Sequence, residues 1–346
     1  MSWWNVDDDD DDQLPDESDI RVRPSRRGSR PRTKTRPAHR DAVTGTVLGV
    51  DRGRYTVLLE ENRKNEREVT ASRASELRRN PIVNGDRVDV VGDLSGEQGT
   101  LARIVRVKER STLLRRSADD TDDVERIIVA NADQMLIVVA AANPEPRARL
   151  VDRYLVAAFD AGITPLLVIT KTDLADPADF VSLFAQLPLT VLTSRTDSMP
   201  IDDIAQLLVG HSTVFVGHSG VGKSTLVNAL VPDAHRLTGH VNRVTGRGRH
   251  TSSSAVSYRL THHGRSGWII DTPGVRSFGL GHVDTGNILG AFPDLNTLAD
   301  ECPRGCTHLP DAPDCALNEA SQAGDLDSVA LQRLDSLQRL LTTFAN

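Results

Sequence analysis

The chain has 346 residues, a net charge of −7 and 4% aromatic residues. It has no run of 18 uncharged apolar residues and no apolar stretch near its start, so we expect neither a membrane-spanning helix nor a secretory signal. Its three cysteines all lie between positions 302 and 315, which argues against a disulfide-stapled secreted scaffold. We therefore expect a cytoplasmic protein without a membrane partner, with two or three domains at roughly 100–200 residues each. The sequence shows no clear oligomerisation interface, so a monomer is expected.

Charge is segregated along the first 40 residues. Positions 1–20 carry nine acidic and no basic residues, whereas positions 21–40 carry nine basic and no acidic residues. Such blocks contain too few aliphatic residues to bury an apolar core, so we predict a disordered arm over 1–40. Two roles are open for it: a solubilising tail, or a basic arm that reaches RNA phosphates.

The next segment, 41–118, has the pattern of a small β-barrel and a net positive charge, with 15 basic and 12 acidic residues. Short runs rich in β-branched residues alternate with turn sequences. The predicted strands are 43–50, 55–59, 68–71, 87–91 and 101–107. Five short strands in this space are typical of an OB fold. A small barrel without a ligand is the alternative to an RNA-binding one.

The mode of RNA binding is constrained by composition. Tyr55 is the only aromatic residue in 41–118, so base stacking on an aromatic face is disfavoured. Arginines could instead contact the phosphates of a structured RNA. The candidates are Arg73, Arg78, Arg79, Arg87, Arg103, Arg106, Arg110, Arg115 and Arg116.

From residue 119 onward, buried strands alternate with helices. Continuous apolar runs lie at 135–141, 165–169, 189–192, 214–216 and 268–270, and helical stretches lie at 147–161, 178–186 and 201–209. This alternation indicates a mainly parallel sheet that binds its ligand at the carboxyl ends of the strands. We assign 119–285 to this α/β domain.

A phosphate-binding loop follows the apolar run that ends at 216. Residues 217–224 read G-H-S-G-V-G-K-S between a strand and a helix-forming stretch, which is the P-loop pattern. In such loops backbone N–H groups and the helix N-terminus surround the phosphates. Lys223 is expected to reach the β- and γ-phosphates, and Ser224 to ligate Mg²⁺. The predicted nucleotide contacts here are Gly217, Gly220, Gly222, Lys223, Ser224 and Thr225.

Two further strand ends carry polar motifs. The sequence D-T-P-G at 271–274 places an acid, Asp271, where it can ligate Mg²⁺, and Gly274 can offer its N–H to the γ-phosphate. Each motif is a weak signal by itself, because charged turn residues follow most strands. Their value lies in their combination with the P-loop.

The other motif, T-K-T-D at 170–173, predicts a purine site. Asp173 can accept hydrogen bonds from N1 and N2 of guanine, and Lys171 can lie along the plane of the base. Thr170 opens the motif, and Ser194, at the end of another strand, can close over the base. Because Thr170 is unusual in such a motif, an ATP-using P-loop protein is left open.

The C-terminal segment 286–346 gathers every cysteine of the chain. Cys302, Cys306, His308 and Cys315 form a set of three thiolates and one imidazole, which predicts a closed, structural Zn²⁺ site. After it, apolar residues recur at three- and four-residue spacing and predict an amphipathic helix. These residues are Leu326, Ala330, Leu334, Leu337, Leu341 and Phe344. Two roles are open for this helix: packing onto the zinc module or the α/β domain, or contact with rRNA or another protein.

Together the nucleotide motifs resemble those of Ras-like GTPases in a different chain order, because the base-reading elements precede the P-loop. With a barrel upstream and a Cys/His cluster downstream, the chain resembles the RsgA (YjeQ) family of GTPases that depend on the small ribosomal subunit. The resemblance covers about residues 43–345 and includes the runs 248–253 and 271–280. It implies an OB-fold barrel, a circularly permuted GTPase domain and a zinc-binding helical module.

The resemblance also implies a reaction and a partner. The expected activity is hydrolysis of GTP to GDP and phosphate with Mg²⁺, stimulated by the small ribosomal subunit. The expected role is late maturation of that subunit, with binding to its 16S rRNA. The resemblance implies that the GTP-bound protein docks through the barrel and the zinc module.

Catalysis needs a group that orients the attacking water. Val275 stands where Ras-like enzymes have a glutamine, so slow intrinsic turnover is implied and His250 is the candidate for this task. Thr251 is the candidate switch I ligand of Mg²⁺, with Ser252 and Ser253 as alternatives. The predicted catalytic residues are thus His250, Lys223 and Thr251. The alternative that Val275 permits is a nucleotide-gated RNA-binding checkpoint with negligible turnover.

Overall fold

A computed structural model describes residues 39–77, 80–116, 126–232, 255–272, 280 and 283–343. The predicted arm at 1–40 lies outside the described residues except for its last two positions. One compact unit begins at Asp41 and runs to Asn346. No described helix is both long enough and apolar enough to span a bilayer.

The N-terminal part of this unit is a closed five-stranded barrel. Its strands are β1 (Val43–Asp51), β2 (Arg54–Leu59), β3 (Arg67–Arg73), β4 (Arg87–Gly92) and β5 (Ala102–Val107). They pair in the order β1-β2-β3-β5-β4, and β4 pairs with β1 to close the ring; β3 and β5 are parallel and the other pairs antiparallel. Alternate residues such as Val57, Val88 and Ile104 fill the interior. The prediction of an OB-like barrel is confirmed.

Two short strands that the sequence pattern did not predict follow the barrel. They are β6 (Leu113–Arg116) and β7 (Arg126–Ala130), and they form a separate antiparallel pair. The N–H of Ala130 donates to the carbonyl of Asn84 at 3.0 Å, so β7 also touches the barrel. This strand pair therefore connects the barrel to the α/β layer along the chain, and a hydrogen bond from β7 to Asn84 adds a second connection.

The α/β layer contains six strands. They are β8 (Gln134–Ala140), β9 (Thr164–Thr170), β10 (Thr190–Thr193), β11 (Ser212–Val216), β12 (Val256–His262) and β13 (Arg265–Asp271). Their order is β10-β9-β8-β11-β13-β12, with β12 alone antiparallel to its neighbour β13. All seven residues of β8 are buried, as expected for a strand covered on both faces. The sheet thus has β11, the strand before the P-loop, near its centre.

Helices cover both faces of this sheet. They are α1 (Ala148–Asp160), α2 (Ala178–Ser182), α3 (Ile201–Leu208), α4 (Lys223–Leu230), α5 (Thr285–Leu289), α6 (Pro293–Ala299), α7 (Ala316–Ala323) and α8 (Ser328–Thr342). On one face α3 and α4 bury Ile204 and Leu226 against Val138. On the other face α1 and the C-terminal helices share a single core, in which Leu337 of α8 belongs with Met135 of β8. The amphipathic C-terminal helix α8 packs on α1, α5 and α6 within this core.

A buried ion pair joins α8 to α1. Oδ1 of Asp152 lies 3.2 Å from Nη2 of Arg339, without the alignment of a hydrogen bond. The Arg339 guanidinium also donates to the carbonyl of Leu183 at 2.9 Å and lies 5.2 Å from the ring centre of Phe184. Because burial outweighs the attraction of Arg339, the pKa of Asp152 is raised to about 6.

We predict that Asp152 makes the stability of the protein depend on pH. Since folding raises the pKa of Asp152, its contribution to the free energy of unfolding is greatest at low pH and is lost as the pH rises through about 6. Asp152→Asn removes this contribution. Chemical denaturation should show the stability difference, wild type minus variant, falling by roughly 1–1.5 kcal/mol between pH 5 and pH 7.5. A difference that stays constant over this range would contradict the prediction.

Candidate nucleotide and zinc sites

The P-loop takes a conformation that its glycines permit. Gly217 has φ +155°, and a Cβ there would lie 2.5 Å from the carbonyl oxygen of Val138. Gly222, the residue before α4, has φ +94° in the left-handed region. Side chains at these two positions would clash or strain the loop. The glycines thus allow the chain to turn sharply from β11 into α4, whose N-terminal N–H groups face the phosphate position.

At the phosphate end, Lys223 and Asp271 meet. Lys223 is the first residue of α4, and its Nζ contacts Oδ1 of Asp271, the last residue of β13. Asp271 pairs with Phe215 across the parallel β11–β13 ladder, and Thr272 donates its hydroxyl to the Phe215 carbonyl at 2.9 Å. The ladder therefore fixes the carboxylate beside the P-loop, where it can hold a cation.

Ser224 and Thr225 are exposed in the first turn of α4. Their position next to Lys223 leaves both hydroxyls accessible to a phosphate or a hydrated cation. Together with Asp271 they form a set of oxygen donors that suits Mg²⁺.

At the base end, the loops after β9 and β10 hold each other. The N–H of Thr172 donates to the Ser194 carbonyl at 3.2 Å, and the N–H of Ser194 donates to the Ile169 carbonyl at 2.8 Å. The N–H of Thr196 donates to Oδ1 of Asp173 at 2.8 Å. This hydrogen bond holds the pKa of Asp173 below its ordinary value. Asp173 is thus an oriented, ionised acceptor, which is what recognition of guanine N–H groups requires.

Two side chains connect the base end to the phosphate end. The Thr170 hydroxyl donates to the carbonyl of Val221 in the P-loop at 2.6 Å. Lys171 donates from Nζ to the Gly220 carbonyl at 2.8 Å and also contacts the carbonyl oxygen of Asn143. Thr170 is 8% exposed, so its hydrogen bond to the P-loop is sheltered from water. A threonine hydroxyl therefore ties the predicted purine site to the P-loop in this chain.

The structure brings most of the predicted nucleotide contacts to one edge of the sheet. Those placed together are Thr170, Lys171, Asp173, Ser194, Gly217, Gly220, Gly222, Lys223, Ser224, Thr225 and Asp271. His250, Thr251 and Gly274 lie outside the described residues, so the roles predicted for them stay predictions. Sequence reasoning missed the N–H of Thr196 and the carbonyl of Asn143. Both act through the backbone, and their residue types give no signal.

The predicted zinc ligands converge at the C-terminal end of the unit. Their four donor atoms all lie within 4.8 Å of one another. Sγ of Cys302 is 3.6 Å from Nδ1 of His308 and 3.9 Å from Sγ of Cys315, and Cys315 Sγ is 3.8 Å from the same nitrogen. Tetrahedral zinc, with bonds of about 2.3 Å to sulfur and about 2.0 Å to nitrogen, requires edges of roughly 3.5–3.8 Å. The donor set therefore fits Zn²⁺.

Burial affects two of these ligands in opposite ways. It raises the pKa of the Cys315 thiol to about 11, which favours the protonated thiol, and it lowers the pKa of His308, which favours the neutral imidazole that can bind a metal. The N–H groups of Ala316 and His308 point at Sγ of Cys302 and Cys306, at 3.3 and 3.5 Å. Gln338 of α8 donates to the His308 carbonyl at 3.2 Å. A metal here would lock the loop before α7 onto α8, which is a structural role.

We predict that Thr170 strengthens nucleotide binding through its hydrogen bond to Val221. Thr170→Val keeps the size of the side chain and leaves the buried Val221 carbonyl without this donor. The Kd for GDP, measured by calorimetry, should rise about ten-fold, equivalent to about 1.4 kcal/mol. Thr170→Ser retains the hydroxyl and should stay within about two-fold of wild type. Equal affinities for Thr170→Val and wild type would contradict the role.

We predict about one Zn²⁺ per purified chain, measured by elemental analysis. Cys315→Ala should lose the metal and unfold at a lower temperature, because zinc binding and folding of this module are coupled. Gln322→Ala, an exposed change on α7, is the control and should retain both metal and stability. A protein without zinc, or a metal-retaining Cys315→Ala, would refute the ligand assignment.

The sequence and fold match known proteins. A profile of the RsgA GTPase family matches residues 107–281. The small ribosomal subunit biogenesis GTPase RsgA of Pseudomonas aeruginosa (strain LESB58) is 38% identical over 271 residues, which cover 76% of each chain. The protein of the same name from Pseudomonas syringae pv. syringae is 39% identical over 272 residues, covering 76% of this chain and 75% of the relative.

Solved structures give the same result for the fold. The crystal structure of YjeQ from Thermotoga maritima is 23% identical, covers 87% of this chain and 98% of its own, and superposes with a TM-score of 0.62. The crystal structure of YloQ, described as a circularly permuted GTPase, is 25% identical and has a TM-score of 0.59. The match covers 89% of this chain and 96% of YloQ. In the present chain, strands β9 and β10, which lead into the loops predicted to bind the base, precede the P-loop strand β11. The chain belongs to the RsgA GTPase family.

Proposed function

We propose that this protein hydrolyses GTP to GDP and phosphate and acts as a cytoplasmic, monomeric factor in late maturation of the small ribosomal subunit, whose 16S rRNA it binds. The observation that carries the proposal is the convergence of Asp173, the P-loop and Asp271 at one edge of the sheet. The name of the relatives, small ribosomal subunit biogenesis GTPase, supports the choice of partner.

Selection of guanine follows from Asp173. Its ionised carboxylate accepts from N1–H and N2–H₂ of guanine, whereas adenine offers an unprotonated N1 at the corresponding position. The Thr196 N–H fixes the orientation of the carboxylate, and Lys171, held by the Gly220 carbonyl, lies beside the base. These contacts favour GTP over ATP.

Phosphate binding uses the backbone N–H groups of the P-loop, the N-terminus of α4 and the Lys223 side chain. Backbone N–H groups of 217–222 and the N-terminus of α4 receive the phosphate oxygens, and Lys223 moves its ammonium from Asp271 to the β- and γ-phosphates. Bound Mg²⁺, for which Ser224, Thr251 and Asp271 are the proposed ligands, supplies neutralisation of the phosphate charge. The Gly274 N–H is proposed to contact the γ-phosphate.

We propose His250 as the residue that orients the attacking water. Val275, next to Gly274, has no group that can donate or accept a proton. A neutral imidazole can accept a proton from water near neutral pH. His250 therefore supplies the function that Val275 lacks.

The barrel is the proposed RNA-binding part. Arg73, Arg87 and Arg103 are exposed on it, whereas Arg110 is bound to both carboxylate oxygens of buried Asp86, at 2.6 and 2.8 Å. Arg110 therefore lies outside the surface we assign to RNA. Tyr55 is 4% exposed within the barrel core, so phosphate contacts, rather than stacking on an aromatic face, provide affinity.

The zinc module presents the opposite charge. Between 283 and 343 all ten acidic residues are exposed. Of the three arginines in this range, one is exposed and two are half-buried. A surface of this charge repels phosphates. We therefore assign RNA binding to the barrel rather than to the zinc module.

Hydrolysis of GTP and of ATP, each with and without purified small ribosomal subunits, tests the proposal. We expect selective GTP hydrolysis that small subunits accelerate ten-fold or more, a barrier change of at least about 1.4 kcal/mol, while large subunits do not. Guanine-selective binding without stimulated turnover would instead favour the nucleotide-gated checkpoint that Val275 permits. ATP hydrolysis at a similar rate would refute guanine selection.

In the same assay, His250→Ala should lower the stimulated rate about a hundred-fold, the usual scale of general acid–base assistance. Binding of a non-hydrolysable GTP analogue and of the small subunit should be unchanged and serves as the control. An unchanged stimulated rate would exclude His250 from catalysis.

A further inference from the structure

The barrel and the GTPase sheet are joined edge to edge beside the predicted Mg²⁺ ligand. Val256, at the start of β12, pairs with Gly49 of barrel strand β1 on one side and with Asp271 of β13 on the other. Asp271 in turn pairs with Phe215 of the P-loop strand. One strand therefore separates the barrel from the carboxylate that contacts Lys223. At about 4.8 Å per strand, the two lie roughly 10 Å apart.

Asn84 holds this junction. It is 2% exposed, and its side-chain amide donates to the carbonyl of Leu48 in β1 at 2.8 Å and to the carbonyl of Ala255 at 2.9 Å. Its nitrogen also lies 3.3 Å from the hydroxyl of Ser257. Since an amide has two hydrogens, one serves the barrel and the other serves the residue before Val256. The side chain thus bridges the two sheets at the end of the hairpin that carries Asp271.

A second set of contacts joins the barrel to the β12–β13 hairpin, at positions further from Asp271. The Glu66 carboxylate, from the β2–β3 turn of the barrel, accepts two hydrogen bonds from Arg259 at 2.7 and 2.9 Å. Glu61 accepts from Nε1 of Trp268 at 2.6 Å, and the Arg259 guanidinium lies 5.0 Å from the centre of that ring. Arg259 and Trp268 are directly opposite each other in the β12–β13 ladder.

The Asn84 hydrogen bonds and the contacts of Glu61 and Glu66 act at different ends of the β12–β13 hairpin. The Glu66 and Glu61 contacts keep the barrel on the hairpin three residues away from Asp271, whereas Asn84 acts at the end where Asp271 lies. If the Asn84 bridge were lost, the barrel would remain attached through Glu66 and Glu61. A displacement of the barrel would then no longer be passed directly to Val256 and its partner Asp271.

We infer that Asn84 is a positioning residue that transmits the position of the barrel, set by the RNA bound to it, to Asp271 at the phosphate end of the site. The inference rests on the proposed function, because the bound RNA supplies the displacement and GTP hydrolysis reports it. In the free protein the β12–β13 ladder positions Asp271 by itself, so intrinsic hydrolysis does not need Asn84.

The test compares full-length wild type with Asn84→Leu, which keeps the approximate size and removes both donors. We expect intrinsic GTP hydrolysis and small-subunit affinity within about two-fold of wild type, and a stimulation factor at least ten-fold lower. Asn65→Leu, at an exposed position of the same barrel, is the matched control and should be stimulated normally. Full stimulation of Asn84→Leu would overturn the inference and leave the proposed function intact.

If wild type itself shows no stimulation by small subunits, the proposed function fails, and the inference fails with it. If Asn84→Leu does not fold, hydrogen exchange on wild type decides instead. Binding of small subunits should then slow exchange in 255–262 as well as in the barrel strands. Slowing confined to the barrel would overturn the inference.

Discussion

Parallel pairing of β11 with β8 on one side and β13 on the other is the constraint on which the nucleotide site depends. It brings the end of the P-loop strand, the end of strand β9, where base recognition is proposed, and Asp271 to one edge of the sheet. The site is therefore fixed by the lateral order of the strands and not by the order in which the chain visits them. A circular permutation can reroute the connections without changing which residues meet.

Features set by local pattern could be predicted from the sequence. The barrel strands are short alternating runs, the P-loop is a contiguous motif between a strand and a helix, and the zinc donors fall within one short segment. Strand β12 was not predicted. Its residues alternate between polar and apolar like those of the barrel strands, whereas the strands predicted in the α/β segment are continuous apolar runs; it pairs with β13 and, at Val256, with the barrel.

Polar contacts between residues far apart in the chain could not be predicted from the sequence either. Thr170 looked like a departure from the guanine motif, yet its hydroxyl reaches Val221, 51 residues away in the sequence. The Asn84 amide reaches Ala255 across 171 residues, and the residue types of the pair give no hint of it. In each case a small side chain satisfies a backbone carbonyl on another element, so the partner is defined only once the elements have packed.

The position of α8 has a consequence for how the molecule is made. Leu337 and Leu340 belong to the same buried core as Met135 and Ile137, and α8 packs on α1 there, so this core stays incomplete until the last helix is available. During synthesis the barrel strands are all present once Val107 has emerged, whereas this core is completed only when the end of the chain is available. A nascent or truncated chain lacking α8 presents aliphatic surface to chaperones, proteases and other nascent chains.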